Sequence, residues 1–241
     1  MLGNFYSACV NHRYGSVRRT IKLNQFNLSN KPHILNHLIL LNVHINIIHY
    51  WFEINPTDDQ LITIDLLKTA YECTTLDIFS LLVSRVILLN EQNQRGETIL
   101  YGCAHSFRCY PERIKLLLDR GANPNLGCYR TYRYGDLHTP LGELIQKHCL
   151  NLDRIEAIKL LLDYGANPNH ITGPGNKKPL DLLILYSGPI QLMYLLMQYG
   201  ATDVNKHNEV YIKRVLLICD MMLYTDGIPS DWIIGIKEYM Y

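Results

Sequence analysis

Tyr129, Arg130, Tyr132, Arg133 and Tyr134 put five aromatic or guanidinium side chains into six successive positions. Tyrosine and arginine combine a large apolar area with directional hydrogen bonding, and both are enriched where proteins grip one another. They sit in the run NLGCYRTYRYGDLH, residues 125–138, which shows no helical spacing of apolar residues and so reads as a loop. Two readings of this finger stay open: it contacts a partner, or it packs onto the neighbouring loop. Stacking on RNA bases would use the same residue types. A net charge of +1 gives no electrostatic footprint for nucleic acid, and a protein partner is the better expectation.

Other residues with chemical potential lead less far. His105 lies between Cys103 and Cys109, and His148 adjoins Cys149, but neither the Cys-x2-Cys spacing of a zinc site nor a second pair accompanies them. Cysteines buried inside helices are the expectation, with no metal and no cofactor. TGPGNKK, residues 172–178, is glycine-rich and basic yet lacks the G-x4-G-K-[S/T] order that cradles phosphate. No G-x-S-x-G, H-E-x-x-H or paired-acid motif is present, so nothing in the chain calls for an enzyme.

Composition bounds the elements that must hold these residues. The 241 residues are 48% hydrophobic and 19% charged, enough to bury a core. Seven cysteines, an odd number without a tight framework, suit reduced thiols in a cytosolic or nuclear setting. No secretory signal pattern opens the chain. The most apolar stretch, residues 34–52, is broken by Asn36, His37, Asn42, His44, Asn46 and His49; it reads as two short buried helices rather than a membrane span. Acidic residues are absent before Glu53, whereas Arg13, Arg18, Arg19, Lys22 and Lys31 are not. That basic N-terminal stretch is either a solvated face or a surface for an acidic partner.

A repeat organises the rest. RIKLLLDRGANPN (113–125) recurs as AIKLLLDYGANPN (157–169) and, more loosely, as QLMYLLMQYGATDVN (191–205). Each carries apolar residues at helical spacing and then a glycine, Gly121, Gly165 or Gly200, where a left-handed turn must stop the helix. A second short helix precedes each run, in ETILYGCA (97–104), HTPLGELI (138–145) and KPLDLLIL (178–185). Thr139 can cap the middle one, with Pro140 in its first turn.

These residues resemble the ankyrin family, whose units open on G-x-T-P-L-H and close on LLLxxGAxxN. The resemblance extends backwards through residues 76–98, where Val86 takes the glycine position and Asn90 the family's asparagine, and more loosely to residues 45–56 and 5–23. It implies an all-α solenoid of five to six units over residues 1–205, the first ones degenerate. The marker positions are 35 residues apart from Val86 to Gly121 and again from Gly165 to Gly200, against 44 from Gly121 to Gly165. The extra residues fall in the finger 125–138 and near KHCLNLDR, 147–154, where exposed loops tolerate insertion.

Residues 206–241 leave the repeat pattern. The stretch 211–223, YIKRVLLICDMML, predicts an apolar helix, and 228–241, IPSDWIIGIKEYMY, places Trp232, Ile236 and Tyr239 on one helical face. A pair of helices closing the last repeat would explain both. This end also resembles the F-box-like (PRANC) tail of poxviral ankyrin proteins, whose L-P-x-E-I-x3-I-x2-Y pattern aligns without a gap onto Ile228, Pro229, Asp231, Trp232, Ile236 and Tyr239. It is less similar to the SOCS box of the ankyrin-SOCS proteins, where Val215, Cys219 and Leu223 would match. Either resemblance implies an adaptor: repeats hold a target while the tail docks a cullin-type ubiquitin ligase. The alternatives are a viral host-modulating adaptor, a cellular substrate receptor, and a plain scaffold that sequesters its target.

Overall fold

The computed structural model describes residues 31–130, 136–146, 151–172, 177–186 and 188–202, together with Gly15 and Arg19. Ten helices form five antiparallel pairs among these residues: α1 (Lys31–Leu40) with α2 (Ile45–Ile54), α3 (Ile64–Cys73) with α4 (Leu76–Arg85), α5 (Ile99–His105) with α6 (Pro111–Asp119), α7 (Pro140–Gln146) with α8 (Leu152–Asp163), and α9 (Pro179–Leu185) with α10 (Ile190–Gln198). A short 3-10 helix, Asp58–Leu61, joins the first pair to the second. The apolar stretch around Ile34 to Phe52 is indeed two short buried helices. Apart from Gly15 and Arg19, residues 5–23 lie outside the described residues, as do 206–241.

Threonine starts the first helix of the middle three pairs. Thr63, Thr98 and Thr139 accept hydrogen bonds from the backbone N–H groups of Leu66, Tyr101 and Gly142, at 3.2, 3.2 and 3.1 Å. Each satisfies a donor that the first helical turn leaves without a partner. In the fifth pair Asp181 reaches back to the Lys178 N–H at 2.9 Å and does the same job from inside the helix.

The second helices stop as their glycines predict. Gly121, Gly165 and Gly200 have φ of 86°, 85° and 81°. The N–H of the following alanine then returns to the carbonyl five residues back, as from Ala166 to Leu161 at 2.8 Å. This is a Schellman closure, and it costs glycine no Cβ clash. Val86 differs. It leaves α4 at φ −84°, ψ 124°, an extended exit that any residue can adopt, so the loop departs without the left-handed turn.

First helices stack on first helices, from α1 through α3, α5 and α7 to α9, while α2, α4, α6 and α8 stack as a second row. The core is continuous between the rows. Leu82, Leu117, Leu161 and Leu196, each four residues before its unit's marker position, are fully buried. Burial of each stabilises the stack by about 1.5–3 kcal/mol. Gly142 lets the following loop close onto α7, because a Cβ there would lie 2.3 Å from the Thr172 side chain.

Two arginines tie neighbouring pairs together. From α6, Arg113 donates to the carbonyls of Ala70, Tyr71 and Thr74 at the end of α3, and its guanidinium lies 4.5 Å from the Tyr110 ring centre. From α8, Arg154 donates to the carbonyls of Ser106 and Phe107 at the end of α5, at 3.2 and 2.7 Å. Both are buried, and both supply the positive charge that a helix C-terminus favours.

Candidate protein-binding face

The loops that link one pair to the next gather on a single edge, and an asparagine ladder sets their spacing. Asn90 donates to the Gly121 carbonyl at 3.1 Å and accepts from the Asn123 N–H at 2.7 Å. Asn125 repeats this on Gly165 and Asn167, and Asn169 on Gly200 and Thr202. Each side chain thereby grips both sides of the next unit's glycine turn. One step inward the row repeats a hydroxyl contact: Tyr164 donates to Asp119, and Tyr199 to Asp163.

The finger rises from this edge as a two-stranded antiparallel hairpin, β1 (Cys128–Arg130) and β2 (Asp136–His138), with Tyr129 opposite Leu137 and Arg130 opposite Asp136. Its base is fastened to the loop before it. Gln92 donates to the Gly127 carbonyl at 3.1 Å, and the buried Cys128 thiol lies 3.2 Å from the Arg95 carbonyl. Among the described residues, strand pairing is confined to this hairpin and a single bridge, Thr172 to Lys177, in the next loop.

Below the hairpin a carboxylate lies where sequence patterning expects apolar packing. Glu143, on α7, is buried and joins three partners. Tyr101 donates to its Oε2 at 3.3 Å, His105 Nδ1 lies 2.6 Å from Oε1, and His138 Nδ1 is 3.6 Å from Oε2. The Tyr101 and His105 rings are parallel at 6.1 Å. A second polar cluster sits one unit away, where Lys68 and Asn93 both donate to Glu97, at 3.0 and 3.2 Å. Burial alone would raise the Glu97 pKa, but the hydrogen bonds and positive charge around it win and hold it below the ordinary carboxylate value. Ile87 and Leu88 are exposed on the finger edge beside a cleft of about 530 Å³ lined by Ile62, Leu88 and Arg95.

Of the residues singled out by sequence, Tyr129 and Arg130 are strand positions in β1, while Tyr132, Arg133 and Tyr134 lie outside the described residues. Ile228, Pro229, Asp231, Trp232, Ile236 and Tyr239 lie outside them too, with Val215, Cys219 and Leu223. Cys103 is buried inside α5 as expected, whereas Cys109 is buried in the turn between α5 and α6 rather than in a helix. Desolvation pushes the Cys103 thiol well above its usual value and the Cys109 thiol up to about 11. Glu143, Arg113 and Arg154 escaped the sequence reading. Each makes contacts between units that no local pattern specifies, although a lone acid inside the apolar PLGELI (140–145) was a signal to follow.

No family model matches this chain, and no curated protein matches it. Among solved structures it is similar to an ankyrin repeat domain from Acinetobacter baumannii AYE. The two share 19% sequence identity at a TM-score of 0.58, over 84% of this chain and all of that one. The described helix pairs therefore form an all-α ankyrin-repeat solenoid. No described helix is long and apolar enough to cross a membrane.

Proposed function

We propose that this chain is a non-enzymatic protein-binding scaffold that captures a target with its finger edge and passes it to a cullin-type ubiquitin ligase through its C-terminal residues. The observation that carries the first half is the fastening of the hairpin base to the preceding loop through Gln92 and Cys128. A base already held before binding spares part of the entropy that docking otherwise costs. Tyr132, Arg133 and Tyr134, between β1 and β2 in the sequence, are the contacts assigned to the target. The second half rests on the tail pattern, in which Ile228, Pro229, Trp232 and Ile236 would meet the ligase. A poxvirus-like host-modulating role in the cytoplasm or nucleus follows from the same resemblance.

A second reading has an observation of its own. Residues 179–184 of α9 are all buried, although α9 is the last first-row helix described. A cap over the end of the stack produces such burial, and residues 206–241 would then serve as lid alone, leaving a scaffold that sequesters its target.

Affinity capture of the full chain from cells, read by mass spectrometry, separates the two. The adaptor reading expects a cullin alongside the target, and loss of the cullin alone in an Ile228→Ala, Pro229→Ala double variant. A target recovered equally from both proteins with no cullin in either leaves the sequestering scaffold.

A further inference from the structure

The edge opposite the fingers is where each first helix turns into its second, and on the second, third and fourth pairs it is both apolar and acidic. Phe107, in the α5–α6 turn, is 90% exposed, and Leu152, at the start of α8, is 82% exposed. Leu76, at the start of α4, continues the row at 40%. These side chains stand on held backbone. Arg154 grips the Phe107 carbonyl, and the Cys109 thiol donates to the Asp153 carbonyl at 3.7 Å, so Phe107 and Leu152 belong to one clamped junction. Arg113 does the same for the turn before Leu76 through Thr74. Large apolar groups fixed in water on successive units are a poor way to build a surface unless something covers them.

The charge around them indicates what. Glu72, Asp77, Glu112, Asp153 and Glu156 are all exposed along this edge. Asp153, Glu112 and Glu156 are each near enough to the Cys109 thiol to act on it electrostatically, against the opposite pull of the buried Arg154. In the described turns the exposed cation is Arg108; Lys115 and Lys159 follow about one helical turn further along α6 and α8, while Arg113 and Arg154 are turned inward and buried.

We propose that the turn edge of pairs two to four is a second docking surface, distinct from the finger edge, and that its occupant is a basic amphipathic helix of a partner protein. Packed helices lie about 8–10 Å apart, which sets the step from one unit's apolar residue to the next. Two turns of an α-helix rise about 10.8 Å, so leucine-type residues at i and i+7 meet successive units. Lysines and arginines flanking that stripe face the carboxylates. Charge complementarity of this kind fixes orientation and speeds encounter, while the buried apolar anchors hold the complex.

The test uses the full-length chain and a fluorescein-labelled synthetic helix of about 18 residues, five turns, with leucines on one face and lysines elsewhere. A counterpart carries glutamate in place of lysine. Anisotropy titrations are expected to show binding of the basic peptide that weakens with salt, and none of the acidic one. A Phe107→Ser, Leu152→Ser double variant should lose at least about tenfold in affinity. Its circular dichroism and thermal midpoint should not move, because both side chains are already in water. A Glu112→Gln, Asp153→Asn, Glu156→Gln variant should bind more weakly, with a flatter salt dependence, and Ile171→Ser on the finger edge should bind as wild type does. The proposal is overturned if the basic peptide does not bind, if the acidic peptide binds equally, or if the double variant matches wild type. Self-association of the wild-type chain that vanishes in the double variant would overturn it as well, by giving the edge to a second copy.

Discussion

The Asn125 side chain donates to the Gly165 carbonyl at 2.9 Å from a position 40 residues earlier in the chain. Its oxygen accepts from the Asn167 N–H, two residues beyond that glycine, at 2.7 Å. A single amide thus fixes where unit four's turn sits relative to unit three, across the one interval in which the repeat is lengthened. Asn125→Ala removes both bonds at a site water can reach, so the loss is the net worth of two hydrogen bonds, about 1–2 kcal/mol. Urea unfolding should report it. Asn90→Ala and Asn169→Ala should cost similar amounts, because each repeat meets only its neighbours.

The Gly165 and Val86 positions are equivalent in the repeat and opposite in backbone, which gives a paired prediction. Gly165 has φ +85° and open space where a Cβ would stand. Gly165→Ala therefore meets backbone strain and no clash, and should destabilise by about 1–2 kcal/mol. Val86 has φ −84° and packs partly buried against the core. Val86→Gly should also destabilise, by loosening the unfolded chain and removing contacts, where a left-handed cap at this position would instead have gained from glycine. Urea midpoints of the two variants decide it.

The sequence made the row of helix pairs legible because local chemistry encodes it. Thr139 caps where Pro140 after it predicts, and Gly121, Gly165 and Gly200 end helices for a reason that lies within four residues. Contacts between units were another matter. Arg113 reads as a solvated charge in PERIKLLLD, yet it is buried because α3 ends above it and offers three carbonyls. Glu143 is likewise paired with side chains 38 and 42 residues away, His105 and Tyr101. Phe107 looks like a core residue by type, and its 90% exposure follows only from where the turn points. In the finger, residues 128–130 and 136–138 pair as strands where the sequence showed only a loop, because cross-strand pairing leaves no local pattern in so short a run, and the tail pattern is a matter of resemblance alone.

Glu97 supplies a dependence on pH. Its carboxyl is held below the ordinary value because the hydrogen bonds from Lys68 and Asn93, with nearby positive charge, outweigh the cost of burial. A depressed folded value means that Glu97 contributes stability above the unfolded carboxylate pKa of about 4.3, and loses it as pH falls through the folded value. The stability difference between wild type and Glu97→Gln should therefore be largest above about pH 5 and shrink toward pH 3, measured by urea unfolding at each pH. A difference that grows on acidification would contradict the ion pair.

Thiol reactivity should divide along burial. Cys73 is exposed, whereas Cys103, Cys109 and Cys128 are buried. The thiolate is the reacting species, and desolvation pushes Cys103 well above its usual value and Cys109 to about 11. Peptide mapping after brief iodoacetamide treatment near pH 8 should find Cys73 alkylated at least about tenfold faster than those three. Equal rates would mean that the stack opens on the timescale of labelling.

The finger carries the prediction on which target binding turns. Its base is held by Gln92 and Cys128 to the preceding loop, and its two strands are paired from Cys128–His138 to Arg130–Asp136. Tyr132, Arg133 and Tyr134 follow β1 and precede β2 in the sequence and lie outside the described residues. Replacing Tyr132, Arg133 and Tyr134 singly by alanine should leave the urea midpoint close to wild type, within about 0.5 kcal/mol. It should weaken the captured target by about 2 kcal/mol at the strongest of the three, roughly thirtyfold in affinity. Binding is read by titrating immobilised chain with the target recovered from cells, and stability is read on the same preparations. A large drop in midpoint with little change in binding would make the finger a packed element. Affinity loss without loss of stability would make it the contact surface.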